Sequence, residues 1–243
     1  MANYKMLLKD SVEKLTKMLF YALFDEDYKI KHREETRFLF LEICSDLQIE
    51  SGPEIWEVYK GTFKEIRQKL DSDAIAFEQS DPAAKSLEEV YLAYPGFHAI
   101  AVYRLTHELY KMDLPILPRM MSEYAHGLTG TDIHPGANIG NSFFIDHASG
   151  IVIGETTVIY DHVKIFQGVT LGGIQVKKSL AETKRHPTIE ENVVIYANAT
   201  ILGGDVVIGK NSIVGANVCI TESVPSDSIV MYETENKLLK RSK

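Results

Sequence analysis

The stretch IHPGANIGNSFFIDHASGIVIGETTVI, residues 133–159, sets isoleucine at positions 133, 139, 145 and 151 and, after a slip of two residues, at 153 and 159. A period of six belongs neither to an α-helix nor to an alternating strand. The spacing continues outward through Ile165 and Leu171, through Ile189, Ile195 and Ile201, and after a one-residue slip through Ile208, Val214 and Ile220. One aliphatic per hexapeptide is the pattern of a parallel β-helix. Each unit makes a short strand and a turn, the aliphatic points inward, three units close a triangular coil, and stacked coils bury a continuous core. Glycines and asparagines after the aliphatics, as in VIGKNSIVGANV (207–218), suit tight corners. An antiparallel sandwich predicts period two with hairpin turns at intervals of about 8–12 residues instead.

Between Leu171 and Ile189 the sequence runs eighteen residues where six would complete a unit. The surplus, IQVKKSLAETKR (174–185), is expected to leave the coil as a protruding loop carrying Lys177, Lys178, Lys184 and Arg185 and ending in RHP. Long loops on rigid repeat scaffolds are disproportionately functional.

Before residue 130 the apolar residues recur at helical spacing, as in FLFLEICSDL (38–47) and FHAIAVYRLTHELYKM (97–112). Asp81 before Pro82 reads as a helix N-cap, and Ser86 with Glu89 has capping-box spacing. Pro95-Gly96, Pro115 and Pro118 read as breaks between helices. The expected fold is α+β: a helical domain over 1–130, a β-helix over 131–225 and a tail over 226–243.

The 243 residues carry a formal charge of −8, with 45% hydrophobic content. That is enough apolar material for a full core, and the charge gives no footprint for nucleic acid or an anionic membrane. Cys44 and Cys219 lie far apart, and MANYKMLLKDSVEKL at the N-terminus has no apolar run suited to a signal peptide or span. These features predict a reduced, cytoplasmic protein without nucleic-acid or membrane partners.

The register of the repeat also shows which side chains stack. His147 shares its column with Gln167, Ala197 and Ala216, so the column empties from histidine to alanine and leaves room for a long, thin ligand. An alternative is that alanine simply fits a corner. His147 has Asp146 beside it and Asp132 at the start of the same coil; an imidazole steadied by a carboxylate is suited to take a proton from a hydroxyl near neutral pH. His186, at the exit of the loop, falls on a different side of the coil, which predicts a site completed between subunits of a trimer. His134 and His162 read as surface or supporting residues, and His98 and His107 as parts of the helical pattern.

DPAAKSLEEVYLAYPGFHAIAVYRLTHELY (81–110), DIHPGANIGNSFFIDHASGIVIGETTVI (132–159), GVTLGG (168–173), RHPTI (185–189) and ILGGDVVIGKNSIVGANV (201–218) together resemble the serine O-acetyltransferases. The resemblance implies a left-handed β-helix and transfer of acetyl from acetyl-CoA to the hydroxyl of L-serine, the first step of cysteine biosynthesis, with no metal. It further implies His147 as general base, Asp132 as its partner and His186 as a group that orients substrate or stabilises the oxyanion. Arg185 is implied for the serine carboxylate, Asp81 and Asp146 for its ammonium, and Gly172, Gly173, Ala197 and Ala216 for the acetyl-CoA channel. Trimers, sometimes paired into hexamers, and cysteine as a feedback inhibitor belong to the same implication.

Three departures stand out. The tail MYETENKLLKRSK lacks the terminal isoleucine with which many members grip O-acetylserine sulfhydrylase, so that complex is not expected. Tyr196 stands where a glycine is common, and the loop before RHP is longer than usual. Alternatives from the residues alone are an acetyltransferase for another hydroxyl, such as homoserine or a sugar, and a β-helix zinc enzyme using His147, His162 and His134.

Overall fold

A computed structural model describes residues 5–174 and 183–233. Lys177 and Lys178 of the predicted loop, and the tail from residue 234, lie outside the described residues. Six helices come first: α1 (Leu8–Phe24), α2 (Glu26–Asp46), α3 (Gly52–Ser80), α4 (Leu87–Ala93), α5 (Pro95–Lys111) and α6 (Leu117–Thr129). Leu8, Val12, Leu15, Leu19 and Leu23 make the buried stripe of α1 at helical spacing. Ser86 caps α4, its Oγ accepting from the Glu89 amide at 3.2 Å, but the Glu89 carboxylate reaches one residue further back than in a capping box, accepting from the Lys85 amide at 2.9 Å.

Two helix signals resolve differently. Asp81 caps no helix start; it is the C-cap of α3 and accepts from the Ala83 amide, so Asp81-Pro82 makes a turn before α4 begins at Leu87. Pro118 lies in the first turn of α6 rather than at a break, where its missing N–H costs nothing.

Short strands then follow: β1 (Thr131–Ile133), β2 (Asn138–Ile139), β3 (Phe144–Ile145), β4 (Ile151–Ile153), β5 (Val158–Ile159), β6 (Lys164–Ile165) and β7 (Thr170–Gly172). Beyond the loop come β8 (Thr188–Ile189), β9 (Val194–Ile195), β10 (Thr200–Leu202), β11 (Val207–Ile208), β12 (Ile213–Val214), β13 (Cys219–Ile220) and β14 (Ile229–Val230). They form three parallel sheets in the orders β1-β4-β7-β10-β13, β2-β5-β8-β11 and β3-β6-β9-β12-β14. Each strand pairs with the third one on, as the triangular coil of the six-residue period predicts, except that β12 pairs with β14, because the side between β13 and β14 makes only the single bridge of Val224 to Ile208. Ile133, Ile153, Leu171, Ile201 and Ile220 align in one inward column, all buried. Asn192, Asn198, Asn211 and Asn217 take left-handed corners, and Asn192 donates to Asn211, Asn198 to Asn217.

The helices are clamped to the first coil. The Tyr103 hydroxyl donates to the Ala137 carbonyl at 2.6 Å and accepts from the Ile139 amide at 3.1 Å. Arg104 donates to the carbonyls of Ile139 and Gly140, and Phe77 packs edge-on to Phe144 at 4.8 Å. A side chain at Gly96 would strike the Ile145 carbonyl, so this glycine lets the start of α5 abut the strand that leads into His147. His98 is packed against Phe20, and His107 bonds the Pro135 carbonyl at 2.8 Å, so both serve packing. Among the described residues no helix is long and apolar enough to cross a membrane, and Cys44 and Cys219 are unpaired.

Candidate active site

The corner after β3 is built to project one imidazole. His147 and Ala148 adopt consecutive left-handed conformations, φ 57° and 64°, which are uncommon for residues with a β-carbon. The Thr131 hydroxyl donates to the Ala148 carbonyl and pins this corner. The His147 side chain is consequently 69% exposed, with Nε2 3.4 Å from Oδ2 of the half-buried Asp146. Asp81 lies close by on the helical side. Its carboxylate accepts from the Tyr94 hydroxyl at 2.7 Å and the Ala83 amide at 2.8 Å. These two bonds, with a smaller contribution from the His147 imidazole, hold the Asp81 carboxyl below its ordinary range. The bond to Asp81 pushes the Tyr94 hydroxyl up to about 12, so it remains a donor.

A second cluster lines a cavity of about 270 Å³ on the face of β1 and β4, where Arg119, Asp132, Glu155, Gly173, Arg185 and His186 meet. Arg185 is ion-paired to Glu155, whose other oxygen accepts from the Tyr110 hydroxyl at 2.9 Å. Burial alone would raise the Glu155 carboxyl, but the bonds from Arg185 and Tyr110 outweigh it and keep it low. His186 Nδ1 lies 3.0 Å from the Thr156 amide and 2.9 Å from its hydroxyl. Burial, and then the charges of Arg185 and Lys184, bring the His186 imidazole down to about 4. His186 is therefore neutral at physiological pH.

The predicted residues thus fall into two groups. His147, Asp146 and Asp81 meet at one corner. Asp132, Arg185, His186 and Gly173 meet on another face. The carboxylate within reach of His147 is Asp146; Asp132 instead stands 3.9 Å from the Arg119 guanidinium. Ala197 and Ala216 stand over His147 in the predicted column, because Ile145, Ile165, Ile195 and Val214 are in register. Gly172 pairs with Leu202 one coil on. Among the described residues, the one group able to hold a metal within a chain is Glu123, His126 and Asp132, and Arg119 already supplies a positive charge to Glu123.

No family model matches the chain. It is 47% identical over 186 residues to the plasmid-borne serine acetyltransferase of Synechococcus elongatus, covering 74% of this chain and 58% of that protein. Its structure superposes on serine acetyltransferase isoform 3 of Entamoeba histolytica, solved in complex with cysteine, with a TM-score of 0.83 and 33% identity over 99% of this chain and 87% of the other. The chain belongs to the serine acetyltransferase family.

A further serine acetyltransferase structure, in complex with CoA, matches with a TM-score of 0.66 and 32% identity over 88% of this chain and 79% of that one. The chain spans 50–62% of the length of the first curated serine acetyltransferases it matches.

Within this serine acetyltransferase fold the sequence reading did not single out Tyr94, Arg119, Gly154, Glu155 or Thr156. Glu155 was reachable from the register: Ile153 pairs with Leu171, so Glu155 stacks beneath Gly173 on the face that carries the cavity. Tyr94 had no such signal, since its bond to Asp81 depends on the turn between α3 and α4.

Proposed function

We propose that this protein transfers the acetyl group of acetyl-CoA to the hydroxyl of L-serine, giving O-acetyl-L-serine and CoA, as the entry step to cysteine synthesis. The observation that carries the reading is the division of the site. One corner offers a projecting imidazole between two carboxylates, Asp81 and Asp146. The other face offers a guanidinium, Arg185, beside a neutral imidazole, His186. An amino acid needs an anion for its ammonium and a cation for its carboxylate, and a homotrimer that brings one face against a neighbour's corner supplies both around one hydroxyl.

In that assembly His147 takes the serine proton as the hydroxyl oxygen attacks the thioester carbonyl carbon, with no covalent enzyme intermediate. A carboxylate steadies the imidazolium; Asp146 is in contact, and Asp132 opens the same coil. His186 donates to the oxygen that gains charge. Collapse breaks the C–S bond, and the departing thiolate takes the proton from His147. The groove past Gly172, Gly173, Ala197 and Ala216 holds the thin CoA arm, and the complex of a related structure with CoA supports this use. Tyr196, stacked on Phe166 at 4.9 Å, narrows its side. Cysteine has the shape of serine with a thiol in place of the hydroxyl, and the Entamoeba relative was solved with it, which supports cysteine as a feedback ligand of the serine site. The two unpaired cysteines fit a cytoplasmic setting.

The test is acetyl-CoA consumption with L-serine, L-homoserine and simple sugars as acceptors, with and without chelator. Turnover selective for L-serine and indifferent to chelator is expected. Preference for homoserine or a sugar would contradict the substrate assignment, and loss of activity with chelator would contradict a metal-free mechanism.

A further inference from the structure

Gly154 and Thr156 sit two positions apart at the turn after β4, and both contact His186, which lies 30 positions beyond Thr156 along the chain. A β-carbon on Gly154 would clash with the imidazole ring, 2.7 Å from Cγ and closer still to Cδ2 and Nε2. Only glycine at this position lets the ring lie flat on the backbone. The Thr156 amide donates to Nδ1 at 3.0 Å, and a backbone N–H can only donate, so Nδ1 is an acceptor. The Thr156 hydroxyl accepts from the amides of Arg185 at 2.9 Å and His186 at 3.1 Å, which leaves its own proton for Nδ1 at 2.9 Å. Lys184 completes the clasp by donating to the carbonyls of Thr156, His186 and Pro187.

We propose that Gly154 and Thr156 form a seat that fixes His186 as its Nε2–H tautomer, so that this histidine acts as a permanent hydrogen-bond donor and never as a base. The ring proton is excluded from Nδ1 and therefore resides on Nε2, the atom that faces away from Thr156. A donor that neither ionises nor changes tautomer is pre-aimed at developing negative charge and needs no rearrangement when the charge appears. The seat divides labour between the two histidines: His147, projecting at its corner, moves the proton, and His186 only donates a bond. Thr156 is in this sense a positioning residue. The charged and titratable groups facing the ring, Arg185, Lys184, Glu155 and His134, are compatible with a neutral imidazole among them. This inference deepens the acetyl-transfer reading and rests on it for the consequence in catalysis, though not for the tautomer.

The experiment combines long-range proton–nitrogen correlation spectra of the full-length protein, labelled on histidine nitrogens and assigned with His186→Asn, with serine-dependent turnover of Thr156→Val and Thr156→Ser. The wild type is expected to show Nδ1 bare and Nε2 protonated for His186 at neutral pH and at about pH 5.5, where an ordinary histidine is mostly protonated. Thr156→Val keeps the amide and loses the hydroxyl, so it is expected to leave Nδ1 bare but to shift its nitrogen resonance through the loss of one hydrogen bond, and to lose at least about tenfold in kcat, as a misplaced catalytic group does. Thr156→Ser restores both. A proton on Nδ1 in the wild type overturns the proposal. So does a Thr156→Val protein that keeps the wild-type spectrum, whether its turnover is full, because the hydroxyl is then idle, or reduced, because its role is then only structural. Should the wild type fail to acetylate serine, the functional reading falls while the spectrum still decides the tautomer.

Discussion

Asp73 and Arg104 form a buried bidentate ion pair, with N–O distances of 2.6 and 2.9 Å, that ties α3 to α5. The same two side chains reach into the first coil, where Asp73 accepts from the Phe143 amide at 2.9 Å and Arg104 donates to the Gly140 carbonyl at 2.7 Å. The strand leading to His147 is thus held by charges contributed entirely by the helices. Removing one partner strands the other without water. Asp73→Ala is expected to cost about 3–5 kcal/mol in denaturant unfolding. A loss below about 1 kcal/mol would show that the junction does not depend on the pair.

Asp81 is held ionised by Tyr94 and the Ala83 amide and stands beside His147. As the proposed anchor of the serine ammonium, it should influence acceptor binding and leave the donor side alone. Asp81→Asn is expected to raise KM for L-serine by roughly ten- to a hundredfold, the value of a charge-assisted bond, with KM for acetyl-CoA unchanged. Steady-state kinetics with each substrate varied in turn provide the check. An equal rise in both constants would point to a disturbed fold instead.

His186 binds its proton near pH 4 in the folded chain and near 6.5 in an unfolded one. As pH falls, the unfolded state therefore protonates first. The contribution of a neutral His186 to stability is complete above about pH 6.5 and is lost between there and pH 4. Since its charge does not change where the enzyme works, His186→Asn should lower kcat without moving the acid limb of the kcat/KM profile. A displaced limb would mean that His186 titrates in catalysis.

The scaffold was legible because a coil leaves little freedom. One inward aliphatic per six residues fixes the stacking, and the slips at Ile151–Ile153 and Ile201–Ile208 locate the corners. The column of His147, Gln167, Ala197 and Ala216 followed from that spacing, and strand pairing reproduces it. What spacing does not show is a contact that depends on a path between elements. Asp81 looked like a helix cap because a proline follows it, whereas tertiary contact with Tyr94 makes it a turn. Asp73 and Arg104 look like surface charges in a helical pattern, yet their mutual pairing allows full burial. The bonds of His186 to Thr156 span the long insertion, whose course no periodicity determines.

In the proposed trimer His147 of one subunit and His186 of another act on the same serine. Co-expressing His147→Ala with His186→Ala chains tests it directly. Each variant alone should be nearly inactive, while every mixed trimer regains about one working site in three. Serine-dependent activity recovered in the mixed preparation, and absent from either parent, is the predicted result. Mixed trimers as inactive as their parents would contradict a site shared between subunits.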